Sequence, residues 1–353
     1  MLNARLFALA MAICCWASTQ AAGQAPAPNG NAKAAAWKPS RLPDGHPDLQ
    51  GYWTNNTATP LQRPNGAGEF LTDDEVQARA AGRGGQAGRG GQTVIAPTAT
   101  VAAAQKRPLP YLDLFGLGGG DADARYIMRR TSIITDPPDG KIPPMTPEAQ
   151  KEFAAAQEHH KLHPHDAPED MTTIERCITW ITSGPPMLPT FYNNNYQIVQ
   201  THDDVMIMTE MIHDVRIIPV DGRPHSDIRQ WTGDSVGHWE GDTLVVETIN
   251  FNGRRGWFEK SGTEGGGEKR PDQNMKVIER FTRAASDILL YQFTVDAPDI
   301  YTKPWSGEIE MHPQKGPLFE YACAEGNQLL DLALGGARAE EKAAAEAAQK
   351  KSQ

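Results

Sequence analysis

From Tyr196 onward, apolar and polar residues alternate with a period of two, in runs broken by turn signals: Tyr196–His202, Val205–Ile212, Val215–Val220, Thr243–Phe251, Met275–Arg283, Ile288–Asp296, Trp305–Met311 and Leu318–Cys323. Alternate residues of a strand share a face, so each run predicts a strand with one side turned to a core. Short strands in such close succession predict a mainly β protein with a lipocalin-like antiparallel barrel over residues 190–326. An open sandwich is the alternative. A barrel of about eight strands has room for one small ligand.

The pattern is different upstream, where residues 37–189 read as an extended arm with short helices. "PDLQGYWTNNTATPLQRP" places aromatic anchors between turn residues, as a strap laid over a larger body does. Thr72 with Glu75 three residues on forms a capping box for a first helix. "TSIITDPPDGKIPPMTPEAQKEFAAAQEHH" reads as a strand, a Pro-rich turn and a second helix, with Thr146 at its cap and Pro147 in its first turn. Residues 82–104, including "GRGGQAGRGGQ", and the later "GLGGGDADA" are low-complexity stretches. They lack the strand and helix that would frame a phosphate loop. Residues 327–353 form an Ala-rich charged tail, helical or frayed.

The start of the chain changes what its cysteines mean. Arg5, the apolar run Leu6–Trp16 and small residues at Ala21–Gly23 have the order of a cleaved secretory signal over residues 1–23, and a Pro/Ala linker follows over 24–36. This places the mature chain in the periplasm or outside the cell, where Cys177 and Cys323 are expected to form a disulfide, two buried thiols being the alternative. The 34 Lys and Arg against 44 Asp and Glu give a net charge of −10 without a basic block, which argues against nucleic acid as a partner. No later apolar run approaches the length of a membrane span. A small molecule is the expected partner, and the oligomeric state is left open.

"HDVRIIPVDGRPH", "GDSVGHWEGDTLVVETINF", "VIERFTR" and the arm segment resemble stretches shared by a large group of exported bacterial proteins. "GHWEGDTLVVET" is the most specific of them. The resemblance implies export and carries no activity, so function has to come from the residues.

Several ionisable groups fall on apolar stripes. Glu210 shares a face with Met206 and Met208, Arg216 with Ile218, Glu247 with Val245 and Ile249, and Glu279 with Val277 and Phe281. Burying a carboxylate costs free energy unless it is paired, and an unpaired one has a raised pKa, as an acid–base catalyst needs. The competing reading is that Arg216 and Arg280 pair with these glutamates and close the barrel floor. Glu210, His213 and Arg216, supported by His238, are the candidate catalytic residues, with Glu210 or His213 moving a proton and Arg216 steadying a developing oxyanion. Tyr192, Asn194, Tyr196, Met206, Met208, Arg229, Trp231 and Glu279 are the candidate ligand contacts. His159, His160, His163 and His165 are expected at a solvated helix end, not as a metal site. No dinucleotide fingerprint, haem-attachment motif or nucleophile elbow is present, so no cofactor is expected. The expected function is a cofactor-independent lyase or isomerase working by proton transfer on a small aromatic or polycyclic molecule held in the barrel. The alternative is a periplasmic binding protein without catalysis.

Overall fold

The computed structural model describes residues 37–80, 94–95, 125–190, 192–254 and 271–352. The expected signal, the linker, nearly all of the 82–104 stretch and "GLGGGDADA" lie outside the described residues.

The alternating runs become a single sheet. Its strands are β1 (Gly51–Thr54), β4 (Ile134–Asp136), β5 (Asn195–Gln200), β6 (Asp204–Thr209), β7 (Val215–Pro219), β8 (Asp234–Glu240), β9 (Thr243–Ile249), β10 (Lys276–Ala285), β11 (Ile288–Asp296) and β12 (Trp305–Pro313). The hydrogen-bonded order is β7-β6-β5-β1-β12-β11-β10-β9-β8, with β4 added beside β12; β2 (Val94–Ile95) and β3 (Arg125–Tyr126) form a separate two-stranded pair. Helices α1 (Asp73–Ala80), α2 (Pro147–Leu162) and the exposed α3 (Leu329–Ser352) complete the regular structure. Both expected caps form. The Glu75 carboxylate accepts from the Thr72 N–H at 2.8 Å, and the Thr146 hydroxyl accepts from the Ala149 N–H at 3.1 Å.

The sheet curls into a nearly closed barrel, and strand parity explains why closure stops short. Every neighbouring pair along the order is antiparallel. Nine antiparallel strands in succession leave the two outermost, β7 and β8, running in the same direction, so the alternation cannot continue across the seam. Side chains meet there instead. A Cβ on Gly237 of β8 would come within 3.1 Å of both Ile218 and Val220.

The interior is filled by side chains. Leu244, Val246, Val277, Phe281, Leu289, Tyr291, Phe293, Val295, Trp305, Ile309 and Met311 are all buried. The Phe293 and Trp305 rings meet edge to face at 5.6 Å, a favoured aromatic arrangement. Arg216 and Glu279 form a two-pronged ion pair among them, with N···O distances of 2.8 and 3.0 Å. The Tyr291 hydroxyl donates to Glu279 at 2.8 Å and accepts from the Met187 N–H at 2.8 Å, which brings the 180–188 segment into the core. Burial opposes the Arg216 charge, and the Glu279 carboxylate more than offsets it, leaving the guanidinium above its ordinary pKa.

Four features depart from the sequence reading. β1 comes from the stretch read as a strap, yet it sits in the barrel wall, paired to both β5 and β12. β8 lies outside the alternating runs of the sequence, because Gly237, His238 and Glu240 disguise a strand whose register is set by β9. Residues 318–323 form no strand. Glu247 points outward, since β9 is buried on its Leu244, Val246 and Thr248 side. The disulfide forms as expected, joining Cys177 to Cys323 with Cα atoms 5.5 Å apart across a sequence separation of 146. It ties the stretch after β12 to the segment leading into the barrel.

The buried pair yields a first prediction. Glu279→Leu leaves a buried guanidinium without its partner and is expected to lower stability by about 3–5 kcal/mol in urea unfolding, whereas adding Arg216→Met should restore much of that loss. A double variant no more stable than the single one would show that packing around Glu279, not the charge pair, sets the cost.

Candidate functional site

With the barrel interior occupied, the chemistry-bearing residues gather on the outside of the β1–β5–β6–β7 wall. Register places them in rows. Thr54 lies opposite both His312 and Asn195, and the Glu210 N–H donates to the Asn195 carbonyl at 2.9 Å, so His312, Thr54, Asn195 and Glu210 form one polar row. The next row along the strands is Tyr52, Gln197, Met208 and Val215, and the one after is Val199, Met206 and Ile217. The expected grouping of Glu210 with Met206 and Met208 therefore holds, but on the outer face: Val205 and Ile207 are the buried residues of β6. Val215 is 43% exposed and Ile217 65%. The methionines are half-buried and form an apolar floor with them.

Glu210 closes the polar end of this floor and is only 3% exposed. Its carboxylate accepts from Asn195 Nδ2 at 3.1 Å and from the Phe319 N–H. Burial pushes the carboxyl above the usual carboxylate range, opposed by the Asn195 and Phe319 hydrogen bonds and by nearby His213. The chain leaves β6 through a tight 3-10 turn, Met211–His213, in which Ile212 has φ 64° and His213 φ 61°. Left-handed backbone at a β-branched residue is costly, and such strain tends to persist at functional sites. The turn presents His213 to solvent beside the buried carboxyl.

The stretch after β12 arches over the same face. The Gln314 N–H donates to the Tyr52 carbonyl at 2.8 Å, and Gly316 packs so tightly on the Tyr52 ring that a Cβ would lie 2.2 Å from it. Phe319 then brings its N–H to Glu210 while its side chain stays 66% exposed. The Tyr321 and Tyr192 hydroxyls meet at 3.4 Å just before the Cys323 bridge.

The remaining expected site residues are placed elsewhere or are engaged. Arg216 and Glu279 satisfy each other inside the barrel, away from the outer row. His238 is exposed on β8 beside Glu240, at 3.3 Å, and Arg280 pairs with Glu240 from outside at 2.8 Å, not with a buried glutamate. Tyr196 is in the core, accepting from Asn55 Nδ2 and donating to the Thr182 carbonyl, each at 3.1 Å. Asn194 ties its own turn together, its side-chain oxygen accepting from the Thr190 N–H at 2.6 Å. Arg229 braces two backbone carbonyls, of Phe251 and Gln273, at 2.9 and 2.7 Å, and Trp231 is half-buried in the turn before β8. The helix-end histidines hold carboxylates: His159 lies 2.8 Å from Asp170 and His163 2.8 Å from Asp166. Among the described residues no cluster suited to a metal ion is found.

Sequence reasoning missed Asn195 and Phe319 as neighbours of Glu210, and Val215, Ile217 and His312 as residues of the same outer face. Val215 and Ile217 were legible as the outer half of a strand that is apolar on both faces, whereas Phe319 gave no signal. Away from this face, His225 has its Nδ1 2.7 Å from Asp234 and its Nε2 3.4 Å from Glu247.

His312 sits at the other end of the polar row, stacked on Tyr126 with ring centroids 3.8 Å apart. Burial lowers its pKa to about 4, against the nearby Asp287. A folded-state pKa below the unfolded value means that unfolded chains take up a proton first as the pH falls. Stability is therefore expected to drop between about pH 6.5 and pH 4 by on the order of 3 kcal/mol from this group. His312→Gln should flatten that stretch of a pH series of unfolding free energies, and an unchanged slope would exclude His312 as its source.

The chain matches no protein-family model, no curated protein and no solved structure, so its chemistry rests on the residues themselves.

Proposed function

We propose that the protein is an exported, cofactor-independent enzyme of the lyase or isomerase class that transfers a proton on a small aromatic or polycyclic molecule, bound on the outer face of its barrel. The observation that carries this reading is Glu210: a buried carboxyl with a raised pKa, held on a strained turn at the end of an exposed apolar floor. A carboxyl whose burial raises its pKa is a stronger base once ionised and can both accept and return a proton. His213, beside it and open to solvent, is suited to pass that proton onward. Asn195 Nδ2 and the Phe319 N–H hold the carboxylate in place. The signal-like start and the disulfide support export to an oxidising compartment. In this reading the barrel is lipocalin-like in its wall and not in its use, because the ligand sits against the wall instead of in the lumen. Among the described residues no helix is long and apolar enough to cross a membrane.

A binding protein without catalysis is the second reading, favoured by the exposed apolar floor taken alone. Glu210→Gln and His213→Asn separate the two. Turnover is followed in a library of aromatic and polycyclic compounds incubated with the mature protein. Glu210→Gln is expected to lower turnover by about 10² to 10⁴ with melting unchanged, and His213→Asn by less. Wild-type protein that binds a compound and never converts it would establish the binder; unchanged turnover in Glu210→Gln would remove Glu210 from the chemistry.

A further inference from the structure

We propose that the Cys177–Cys323 disulfide is a latch that holds the segment after β12 over Glu210, and that a dithiol opens it and uncovers the carboxyl. This deepens the Glu210 reading as regulation of that site, and rests on it only for what uncovering does to the chemistry.

The segment has little else to hold it. No residue from 313 to 351 is buried, and none of them joins the hydrophobic core. Beyond β12 the chain adds no strand to the sheet. A segment without buried apolar contacts opens at low free-energy cost unless it is tethered. Its near end is tethered at Tyr52, by the Gln314 N–H and the close packing of Gly316. Its far end is tethered by the bridge, with the 3.4 Å contact between the Tyr192 and Tyr321 hydroxyls as a weaker partner. Past the bridge the chain is held by exposed hydrogen bonds, such as that from Arg338 to the Asp166 carbonyl at 3.0 Å. Phe319 lies between the two tethers, so both have to hold for its N–H to reach Glu210.

The bridge is also open to exchange. Cys177 and Cys323 are both half-buried, within reach of a small dithiol. Asn327 Nδ2 donates to Cys177 Sγ at 3.1 Å, which favours that sulfur as the leaving thiolate. A thiolate of the dithiol attacks Cys323 Sγ, the S–S bond breaks, and Cys177 leaves with the electron pair and takes a proton from water. The second thiol of the reductant then displaces Cys323 and closes the reductant into its own disulfide. Two electrons pass to the bridge, and two cysteine thiols result.

Uncovering changes the carboxyl. Burial is the largest cause of the raised Glu210 pKa, so water admitted by an open segment moves the group back toward its ordinary range and makes it a weaker base. The Phe319 hydrogen bond, lost at the same time, acts the other way and is a smaller cause.

The test is carboxyl footprinting with a water-soluble carbodiimide and an amine, read by mass spectrometry before and after treatment with dithiothreitol. Glu210 is expected to label about tenfold faster after reduction, while Glu279, enclosed in the core, stays unlabelled in both states. Cys323→Ser is expected to match the reduced protein. Tyr321→Phe removes only the hydroxyl contact and is expected to match the oxidised wild type. Glu210 labelling that reduction leaves unchanged overturns the latch. Labelling of Glu279 together with Glu210 overturns it too, because the bridge would then staple the whole fold. So does a Tyr321→Phe variant that exposes Glu210 with the bridge intact. Footprinting needs no substrate, so the latch stands or falls on it, while the catalytic reading stands or falls on turnover by the oxidised protein.

Discussion

The Arg216–Glu279 pair decides how the barrel interior is built. Two charges in the middle of a β-barrel incur a desolvation cost of several kcal/mol each, which only close geometry and further hydrogen bonds can offset. Both are present: two N···O contacts, the Tyr291 hydroxyl on the carboxylate, and through Tyr291 the backbone of Met187. The pair therefore recruits the 180–188 segment as well as the two strands that carry it. A barrel with its middle filled in this way is a scaffold, and in the proposed reading its wall is the working surface.

The wall is asymmetric. On β8 to β10 the outward charged residues are paired, as in Glu240 with His238 and Arg280, and stand among the outward apolar Val236, Val245 and Ile278. On β6 and β7 the outward Met206, Met208, Val215 and Ile217 carry no charge to pair, with Ile217 the most exposed of them. The disulfide and the segment beyond β12 frame that open part on one side, the strained Met211–His213 turn on another. Glu210 stands where these meet. Its raised pKa follows from this location, since the covering segment that supplies the Phe319 N–H also removes water from the carboxyl.

Much of the fold was legible because alternation survives wherever one face is buried. The run Ile288–Asp296 matches β11 residue for residue, and Thr146 and Pro147 marked the start of α2. What alternation cannot state is which face is inside. Met206, Met208 and Glu210 do share a side, but Val205 and Ile207 form an equally apolar opposite side, and packing against the rest of the barrel chose the latter. The same ambiguity misplaced Glu247. Long-range pairing was also invisible: nothing in "GYWT" indicates a strand between β5 and β12, and nothing in "PLFEYAC" predicts a backbone donor for Glu210. Arg216 was recognised as buried and charged, but its partner 63 residues later had several rivals, and only the three-dimensional register selects Glu279.

The central claim, a filled interior and a working outer face, is tested most directly by methyl NMR of protein labelled with ¹³C-methyl methionine. Met206 and Met208 lie on the proposed floor, whereas Met187 and Met311 are fully buried in the core. On addition of 1-hydroxypyrene, a polycyclic aromatic with one hydroxyl, ring-current shifts are expected at Met206 and Met208, with Met187 and Met311 unmoved. Shifts at Met187 and Met311 with Met206 and Met208 unchanged would place the ligand inside the barrel and contradict the account.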